Sequence, residues 1–337
     1  MKPFYWQGTR NFGDHMNSWL WPRLIPQLLS QGDDVRLIGI GSLLKDSLAA
    51  LPGEKVIFGT GSGYGPIPSP QEYSTWKFYF VRGPLTAKAF DLDRKLGLID
   101  GAWLISQIQE LSIPSTAKAG TLFIPHWTTS ESSNWQPVCQ ESGIEYLDPC
   151  MPSLEVLRRI NNSELVITES LHGAIIADYY RTPWIPTRLS NTYLEFKWFD
   201  WFQSICVSPD IKTLPPSDIF DSISLRQRAS AKSSVAETHI PPKSERTLHH
   251  PGLLYRSTIS AKRLLRATRS ACFASLKPVR RAVSMASVGR PTFVEAMRCL
   301  KEIQNSSPTL SKAETHSEKI DSLATAIERL RHDYKSK

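Results

Sequence analysis

The chain has 337 residues, of which 41% are hydrophobic and 10% aromatic. This composition is typical of a globular protein, and the length suffices for two domains of ordinary size plus an extension. The five cysteines include no Cys-x-x-Cys pair and no cluster with histidine, which argues against a zinc site or a disulfide framework and favours a reducing cytoplasm. No signal-peptide core and no apolar run of about 18 residues occurs, so we expect a cytoplasmic protein without a membrane-spanning helix.

The positive charge is confined to one part of the chain. The formal net charge is +8, yet ten Lys or Arg residues and no Asp or Glu lie between residues 246 and 291, which leaves −2 for the remainder. A Pro- and Ser-rich stretch begins near residue 213. We therefore predict an N-terminal domain over residues 1–110, a second domain over 111–215, a flexible linker over 216–250 and a mostly helical basic extension over 251–337.

The first motif in chain order is NFGD at residues 11–14, and a helical stretch with Trp19 and Trp21 follows it. One interpretation makes Asp14 a helix cap. The other places Asn11 and Asp14 in a cleft, where the carboxylate accepts a proton from a sugar hydroxyl and the tryptophan rings stack on sugar faces.

Apolar strand patterns alternate with helical patterns along the body, which predicts an α/β fold with largely parallel strands. The predicted strands span residues 35–40, 55–58, 78–81, 121–124 and 165–168. The predicted helices span residues 16–29, 84–90, 154–161 and 174–180. A break over residues 101–120 separates two sets of elements, so we expect two Rossmann-like domains that face each other across a cleft.

Glycine-rich turns follow two of these strands. Neither has its third glycine at the spacing of a dinucleotide fingerprint, which argues against NAD or FAD. Gly61 lets backbone amides approach a ligand closely, and a mobile surface loop is the alternative interpretation of its turn.

Three charged or titratable candidates lie near strand ends or aromatic residues. Arg82 directly follows strand 78–81, at the edge where open α/β sheets bind ligands, and its planar guanidinium suits phosphate or carboxylate; a surface salt bridge is the alternative. His126 follows strand 121–124 and is either a loop residue or part of the cleft. Lys197 lies in LEFKWFDW at residues 194–201, where it either extends to solvent or binds an anion.

The most informative segment is LVITESLHGAIIADYY at residues 165–180. It predicts a buried strand, a tight turn with Ser170, His172 and Gly173, and then a helix. The N-terminus of a helix favours anions such as phosphate or carboxylate, and His172 adds a titratable donor there. In the alternative interpretation His172 is only a cap or a hydrogen-bonded loop residue.

Taken together, NFGD, the Arg-Gly-Pro turn at residues 82–84 and SLHG at residues 170–173 resemble the polysaccharide pyruvyl transferase family, over roughly residues 8–205. The similarity is to the branch that modifies bacterial exopolysaccharide subunits. It implies a GT-B-like pair of domains and transfer of the enolpyruvyl unit of phosphoenolpyruvate to two hydroxyls of one sugar, which gives a pyruvate ketal. It implies no metal and no nucleotide cofactor. The Asp-Gly-Ala turn at residues 100–102 departs from the Gly-Asp-Pro-Ala pattern of many relatives.

Within this scheme we expect His172 and the helix end behind it to hold the donor and to assist proton transfer. Arg82 and Lys197 would neutralise the anionic groups of the donor, and Asp14 would contact the acceptor, a lipid-linked oligosaccharide. Two alternatives stay open: a GT-B glycosyltransferase with a nucleotide-sugar donor, and a non-catalytic adaptor of a polysaccharide assembly complex.

The C-terminal part predicts association with other surfaces. Residues 261–276 combine leucines at helical spacing with basic residues, a pattern of helices that lie on an anionic membrane surface, here the inner face of the plasma membrane; a solvated or partner-bound helix is the alternative. No nucleic-acid-binding module is recognised. A short coiled-coil seam predicts either a homo-oligomer or packing back onto the body; it comprises Ile320, Leu323, Ile327, Leu330 and Tyr334.

Overall fold

The structure is a computed structural model that describes residues 1–7, 11–29, 34–189, 194–218, 221–222 and 290–334. Most of the predicted linker and the whole basic segment 261–276 lie outside the described residues. Within the described ranges, no helix combines the length and the apolar character needed to cross a membrane.

Two parallel sheets form the framework, which confirms the prediction of an α/β fold with parallel strands. The first sheet has the order β1-β2-β3-β4, with β1 (Lys2–Phe4), β2 (Val35–Ile38), β3 (Glu54–Phe58) and β4 (Lys77–Phe80). The second has the order β6-β5-β7-β8-β9, with β5 (Thr121–Ile124), β6 (Glu145–Tyr146), β7 (Leu165–Thr168), β8 (Trp184–Arg188) and β9 (Lys212–Thr213). A GT-B-like arrangement of the two sheets across a cleft stays a prediction, as do the domain boundaries.

The α-helices connect and cover these strands. They are α1 (Phe12–His15), α2 (Asn17–Leu24), α3 (Pro70–Tyr73), α4 (Pro84–Ala89), α5 (Trp127–Ser132), α6 (Gln136–Ser142), α7 (Ser153–Asn161), α8 (Leu171–Tyr179), α9 (Glu195–Ser204), α10 (Pro291–Gln304) and α11 (Ala313–Tyr334). Short 3₁₀ helices span Pro26–Leu28, Asp46–Leu48, Arg94–Leu96, Gly101–Gln107 and Gln109–Leu111.

The helix predicted over residues 16–29 is too long. Helix α2 ends at Leu24, and Ile25 has a non-helical backbone with φ −137° and ψ 47°. The cause is Pro26, because the proline ring disfavours helical geometry in the residue before it. The chain continues instead as the 3₁₀ turn Pro26–Leu28.

Helix α8 lies at the centre of the largest apolar cluster, which contains residues of both sheets. Every residue of α8 is buried, and apolar residues lie on all of its faces rather than on one, with His172 and Asp178 as polar exceptions. Trp103, from the 3₁₀ helix Gly101–Gln107, packs here and its indole N–H donates to the Ile175 carbonyl at 2.9 Å. This contact holds the connection between the sheets against the helix that carries the SLHG motif.

The C-terminal helices pack onto the same framework. Leu323, Ile327, Leu330 and Tyr334 are buried in the cluster that surrounds α8, so the predicted coiled-coil seam packs back onto the body. The Tyr79 hydroxyl donates to Asp333 at 2.7 Å. Trp184 and Thr309 exchange backbone hydrogen bonds of 3.0 and 2.7 Å, which add an antiparallel bridge beside β8. A homo-oligomer stays a prediction, but the apolar residues of this seam are already buried against the rest of the chain.

We expect Leu330→Ala to destabilise the whole fold by about 2–5 kcal/mol, because it removes a fully buried side chain and leaves a cavity. Thr325→Ala on the exposed side of α11 is the matched control. Urea denaturation of both variants measures the difference. Equal stability of the two variants would mean that α11 does not pack on the core.

Candidate active site

The SLHG motif follows β7, as the sequence predicts, but only Ser170 precedes α8, and Leu171, His172 and Gly173 already belong to the helix. Ser170 is the N-cap residue, and its hydroxyl accepts a hydrogen bond from the Gly173 N–H at 3.4 Å. Thr168 stabilises the turn with two hydrogen bonds. Its hydroxyl oxygen accepts from the Ser170 N–H at 2.9 Å, and its O–H donates to the Ile124 carbonyl at 3.0 Å. The predicted helix 174–180 therefore begins earlier, and His172 lies in its first turn.

Two glycines allow close packing around this turn. A Cβ atom on Gly173 would lie 2.5 Å from the Thr168 hydroxyl oxygen. A Cβ atom on Gly13 would lie 1.9 Å from His172 Nδ1, a separation that no side chain tolerates. Helix α1 consequently lies directly against the imidazole, and the rings of Phe12 and His172 are 6.3 Å apart in an edge-to-face arrangement. The glycine of the NFGD motif brings the N-terminal motif to the histidine.

Asp100 faces His172 from the connection between the sheets. Asp100 Oδ1 lies 3.9 Å from His172 Nε2 and accepts a hydrogen bond from the Ala102 N–H at 2.9 Å, which caps the 3₁₀ helix Gly101–Gln107. Among the described residues, neither His172 Nε2 nor Asp100 Oδ2 has a hydrogen-bond partner, although both atoms are buried. Unpartnered buried polar atoms are rare in folded proteins and call for a functional explanation.

Burial sets the charge of both groups. It raises the pKa of Asp100 to about 7; Arg82 and the Ala102 N–H lower it, and the charges of Asp200 and Asp14 add to the increase. Burial lowers the pKa of His172 to about 3, and the charges of Lys197 and Arg82 act in the same direction. Near pH 6 the site therefore holds a protonated carboxyl group beside a neutral imidazole, and the 3.9 Å contact is not an ion pair at that pH.

These shifts also link stability to pH. Because the pKa of Asp100 is higher in the folded protein, this residue favours the fold at low pH and loses that contribution as the pH rises through about 7. Because the pKa of His172 is lower in the folded protein, this residue favours the fold at neutral pH, and its contribution falls as the pH drops from 6.5 towards 3. Between about pH 4 and 6.5 the two contributions therefore change in opposite directions with pH.

Arg82 follows β4 as predicted, but its side chain is buried rather than open to solvent. Its Nε atom donates to Asp200 at 3.1 Å, and its other nitrogens donate to the Ser42 hydroxyl at 2.8 Å and to the Ser62 carbonyl. Gly61 lies against the guanidinium, where a Cβ atom would be 2.4 Å from Cζ. The predicted surface salt bridge is thus a buried one. Direct contact of Arg82 or Gly61 with a ligand stays a prediction.

Asn11, rather than Asp14, caps helix α1. The Asn11 side-chain oxygen accepts from the Gly13 N–H at 3.4 Å, and its amide donates to Asp14 at 3.2 Å. The cap interpretation of Asp14 is therefore wrong, because α1 begins at Phe12 and Asp14 lies inside its first turn. The half-buried Asp14 carboxylate lies beside Gly41, 3.2 Å from the position of a Cβ there.

The remaining candidates lie on separate elements. Lys197 is half-buried on α9, and its ammonium is 5.8 Å from the centre of the Tyr64 ring. His126 caps α5 by accepting from the Thr128 N–H at 3.4 Å. The His126 N–H donates to Glu169 at 3.0 Å, so this histidine lies at the same sheet edge as the SLHG turn.

Trp21 does not present a face to a sugar, contrary to the sequence-based expectation. Its ring is fully buried, 6.0 Å from the ring of Phe58, and its indole N–H donates to Asn17 at 3.0 Å. The whole ring packs in the core against Phe58 of β3 and leaves no face for a sugar. Trp19 is half-buried and donates to Ser153 at 2.7 Å.

Three acidic residues at the site were not among the predicted candidates. Asp100 lies in the Asp-Gly-Ala turn at residues 100–102, and the departure of this turn from the family pattern was the signal available in the sequence. Asp200 was visible only as the residue three positions after Lys197. Glu169 precedes the SLHG motif directly and accepts from the backbone N–H groups of His126 and Leu189 at 3.0 and 3.3 Å. It thereby connects the ends of β5, β7 and β8.

The described residues contain no group of three His, Cys, Asp or Glu side chains that could hold a metal ion. The cationic groups near His172 are Arg82 and Lys197, whose charges both act on its pKa. The Arg82 charge is paired with Asp200, so Lys197 and the N-terminus of α8 are the groups here that favour a small anion.

We expect Gly13→Ala to destabilise the protein by about 1–3 kcal/mol, because the added methyl group overlaps His172. In a His172→Ala background the same substitution should be neutral or slightly stabilising, since alanine is the better helix residue. A double-mutant cycle by chemical denaturation measures the coupling. An equal loss of stability in both backgrounds would contradict the contact between Gly13 and His172.

Comparison with known proteins supports the resemblance that the motifs indicate. A family model described as polysaccharide pyruvyl transferase matches residues 11–191, a span that includes every predicted site residue except Lys197. Succinoglycan biosynthesis protein ExoV of Rhizobium meliloti (strain 1021) is 36% identical over 219 residues, which cover 64% of this chain and 69% of that protein. The chain therefore belongs to the polysaccharide pyruvyl transferase family.

Proposed function

We propose that the protein transfers the pyruvyl group of phosphoenolpyruvate to two hydroxyls of one sugar in an exopolysaccharide subunit. The products are a cyclic pyruvate ketal and phosphate. The main support is the buried pair of Asp100 and His172, which places a carboxyl proton and a neutral imidazole at the start of α8, near Arg82 and Lys197. Family membership and the name of the Rhizobium relative support a pyruvyl transfer in exopolysaccharide biosynthesis.

The reaction has a simple balance. Two C–O bonds form between the sugar oxygens and C2 of the donor, and the C–O bond to phosphate breaks. The C=C π bond is replaced by a C–H bond, which converts the methylene group to a methyl group. One of the two hydroxyl protons ends in that methyl group, and the other leaves with phosphate. The enzyme must therefore supply one acid and one base and restore both by the end of the cycle.

Asp100 and His172 fit these two roles. In the proposed first addition, Asp100 protonates the methylene carbon while His172 Nε2 accepts the proton of the first hydroxyl. The resulting imidazolium then gives its proton to the departing phosphate. The second hydroxyl adds to C2 and returns a proton to Asp100, so both groups regain their starting states. General acid and base groups contribute most when their protonation states match these tasks at the working pH.

The donor carries a phosphate and a carboxylate, and the surrounding groups suit both. The dipole of α8 favours an anion at its N-terminus. Lys197 lies on α9, and its positive charge already disfavours protonation of His172. The same charges would stabilise a dianionic donor while His172 stays neutral. We assign Ser170 and Gly173 to the donor side of the site and Asn11 and Asp14 to the acceptor side.

We further propose a lipid-linked oligosaccharide as acceptor, in the cytoplasm at the inner face of the plasma membrane. The supporting pattern is the basic segment 261–276, which lies outside the described residues. No nucleotide or metal cofactor enters this scheme. Membership in the family favours this reaction over the nucleotide-sugar glycosyltransferase that the motifs alone left open.

We expect His172→Gln and Asp100→Asn each to lower the rate of phosphoenolpyruvate-dependent ketal formation by about 10²–10⁴-fold, because each removes one proton-transfer group. His332→Gln, at an exposed position of α11, should keep the wild-type rate. Phosphate release and mass spectrometry of the saccharide measure the reaction, and thermal unfolding checks that the variants fold.

Calorimetry with phosphoenolpyruvate and with nucleotide sugars tests the donor separately. Binding of phosphoenolpyruvate that weakens in Lys197→Gln would support the proposal. Binding of a nucleotide sugar instead would favour a glycosyltransferase. Full biological function of the doubly substituted His172 and Asp100 protein would favour the adaptor.

A further inference from the structure

Two exposed aromatic rings, each with an ammonium group over one face, lie at one edge of the first sheet. Trp6 is 41% exposed and Tyr64 is 46% exposed. The Lys45 ammonium is 5.7 Å from the centre of the Trp6 ring, and the Lys197 ammonium is 5.8 Å from the centre of the Tyr64 ring. We refer to Trp6, Lys45, Tyr64 and Lys197 as the aromatic row.

The row is continuous. Lys45 lies beside Gly65, where a Cβ atom would be 4.0 Å from the Lys45 Cβ atom. Tyr64 directly precedes this glycine in the chain. On the other side of Tyr64, a Cβ atom on Gly63 would be 3.7 Å from the Lys197 Cβ atom. Each lysine therefore adjoins the backbone that carries the tyrosine.

Backbone hydrogen bonds fix the two loops that carry the middle of the row. The Leu44 N–H donates to the Gly61 carbonyl at 3.2 Å, and the Asp46 N–H donates to the Pro66 carbonyl at 2.9 Å. Gly63 and Gly65 have φ angles of +158° and +76°, and the second lies in the region that favours glycine. The positions of Lys45 and Tyr64 thus follow from the loop structure.

The row follows the carboxyl ends of successive strands. Trp6 comes after β1, Lys45 after β2 and Tyr64 after β3, and this is the edge where parallel sheets bind ligands. Its last member, Lys197, is close enough to His172 for its charge to act on the imidazole. The row therefore leads from the protein surface to the candidate active site.

The chemistry of the row suits a charged saccharide. The C–H faces of sugar rings pack on exposed aromatic rings, which offer a large, rigid and amphipathic surface. Two separate rings suit at least two sugar units. Among the described residues, neither Lys45 nor Lys197 forms an ion pair with a carboxylate, so each ammonium can serve an anionic group of a ligand.

We propose that the aromatic row binds the saccharide acceptor, with sugar rings on Trp6 and Tyr64 and an anionic group of the acceptor at Lys45. This inference rests on the proposed function, because that function supplies the saccharide. In this arrangement the end of the row at Lys197 presents the hydroxyls that react, and Lys45 binds the acceptor farther from the reacting sugar.

The test measures saccharide binding directly and without donor. The probes are a β-linked hexasaccharide of glucose with a diphosphate at its reducing end, and the same hexasaccharide without it. We expect Trp6→Ala and Tyr64→Ala each to weaken binding of the diphosphate probe about tenfold, which corresponds to the loss of one stacked ring. Lys45→Gln should abolish the preference for the diphosphate probe. Calorimetry measures each affinity.

Two matched variants serve as controls. Lys77→Gln removes an ammonium that lies 5.0 Å from the centre of the Tyr334 ring outside the row, and Val294→Ala removes an exposed apolar side chain on α10. Neither should change saccharide binding. No binding of either probe by the wild-type protein, or equal binding by the row variants and the controls, would overturn the proposal.

Ketal formation from phosphoenolpyruvate, measured beside saccharide binding, separates this inference from the proposed function. The wild-type protein could form ketal while the row variants keep the wild-type KM for the saccharide. In that case the row does not bind the acceptor, and the proposed function is unaffected. If the protein binds the diphosphate probe through the row but never uses phosphoenolpyruvate, the row stands and the donor assignment is wrong.

Discussion

The buried ion pair between Arg82 and Asp200 holds the candidate active site together. Both side chains are almost fully excluded from solvent, and removing two charges from water costs several kcal/mol for each ion. Dense hydrogen bonding offsets this cost: Arg82 also donates to Ser42 and Ser62, and Asp200 also accepts from the N–H and hydroxyl of Thr86 at 2.8 and 2.6 Å. The pair thereby fixes the loops after β2 and β3 against α4 and α9.

The neighbouring pair of Asp100 and His172 is also buried. Unlike Arg82 and Asp200, however, both of its members are neutral near pH 6. Asp100 has one backbone donor, from Ala102, and His172 Nε2 has no partner among the described residues. Too few hydrogen bonds are present to support two charges, so burial keeps the carboxyl protonated and the imidazole neutral. One buried pair thus serves structure, and the other is available for proton transfer. Arg82 acts on both, because its charge lowers the pKa of each group in the second pair.

Local sequence patterns determined much of this fold. The predicted strands 121–124 and 165–168 match β5 and β7 residue for residue, because buried parallel strands are continuous apolar runs. The SLHG turn was predictable for a similar reason, since its cap and glycine act within four residues. The end of α2 was not predicted correctly, although Pro26 was a visible signal.

Contacts between distant parts of the chain could not be predicted from the sequence. The burial of Trp21 depends on its packing on β3, and the role of Asp100 depends on how the connection between the sheets approaches α8. The seam of α11 fits a coiled coil as well as a core, and only the other elements decide between the two. The aromatic row likewise combines residues from three loops and one distant helix.

The protonation states of Asp100 and His172 test the proposed proton-transfer pair most directly. Carbon-13 NMR of the carboxyl groups and nitrogen-15 NMR of the imidazoles, assigned with Asp100→Asn and His172→Gln, would follow both groups in the folded protein. We expect an Asp100 pKa of about 7 and a His172 ring that is neutral at pH 6. An ionised Asp100 carboxylate at pH 5 together with a protonated His172 at pH 6 would contradict this expectation, because the pair would then be a structural salt bridge.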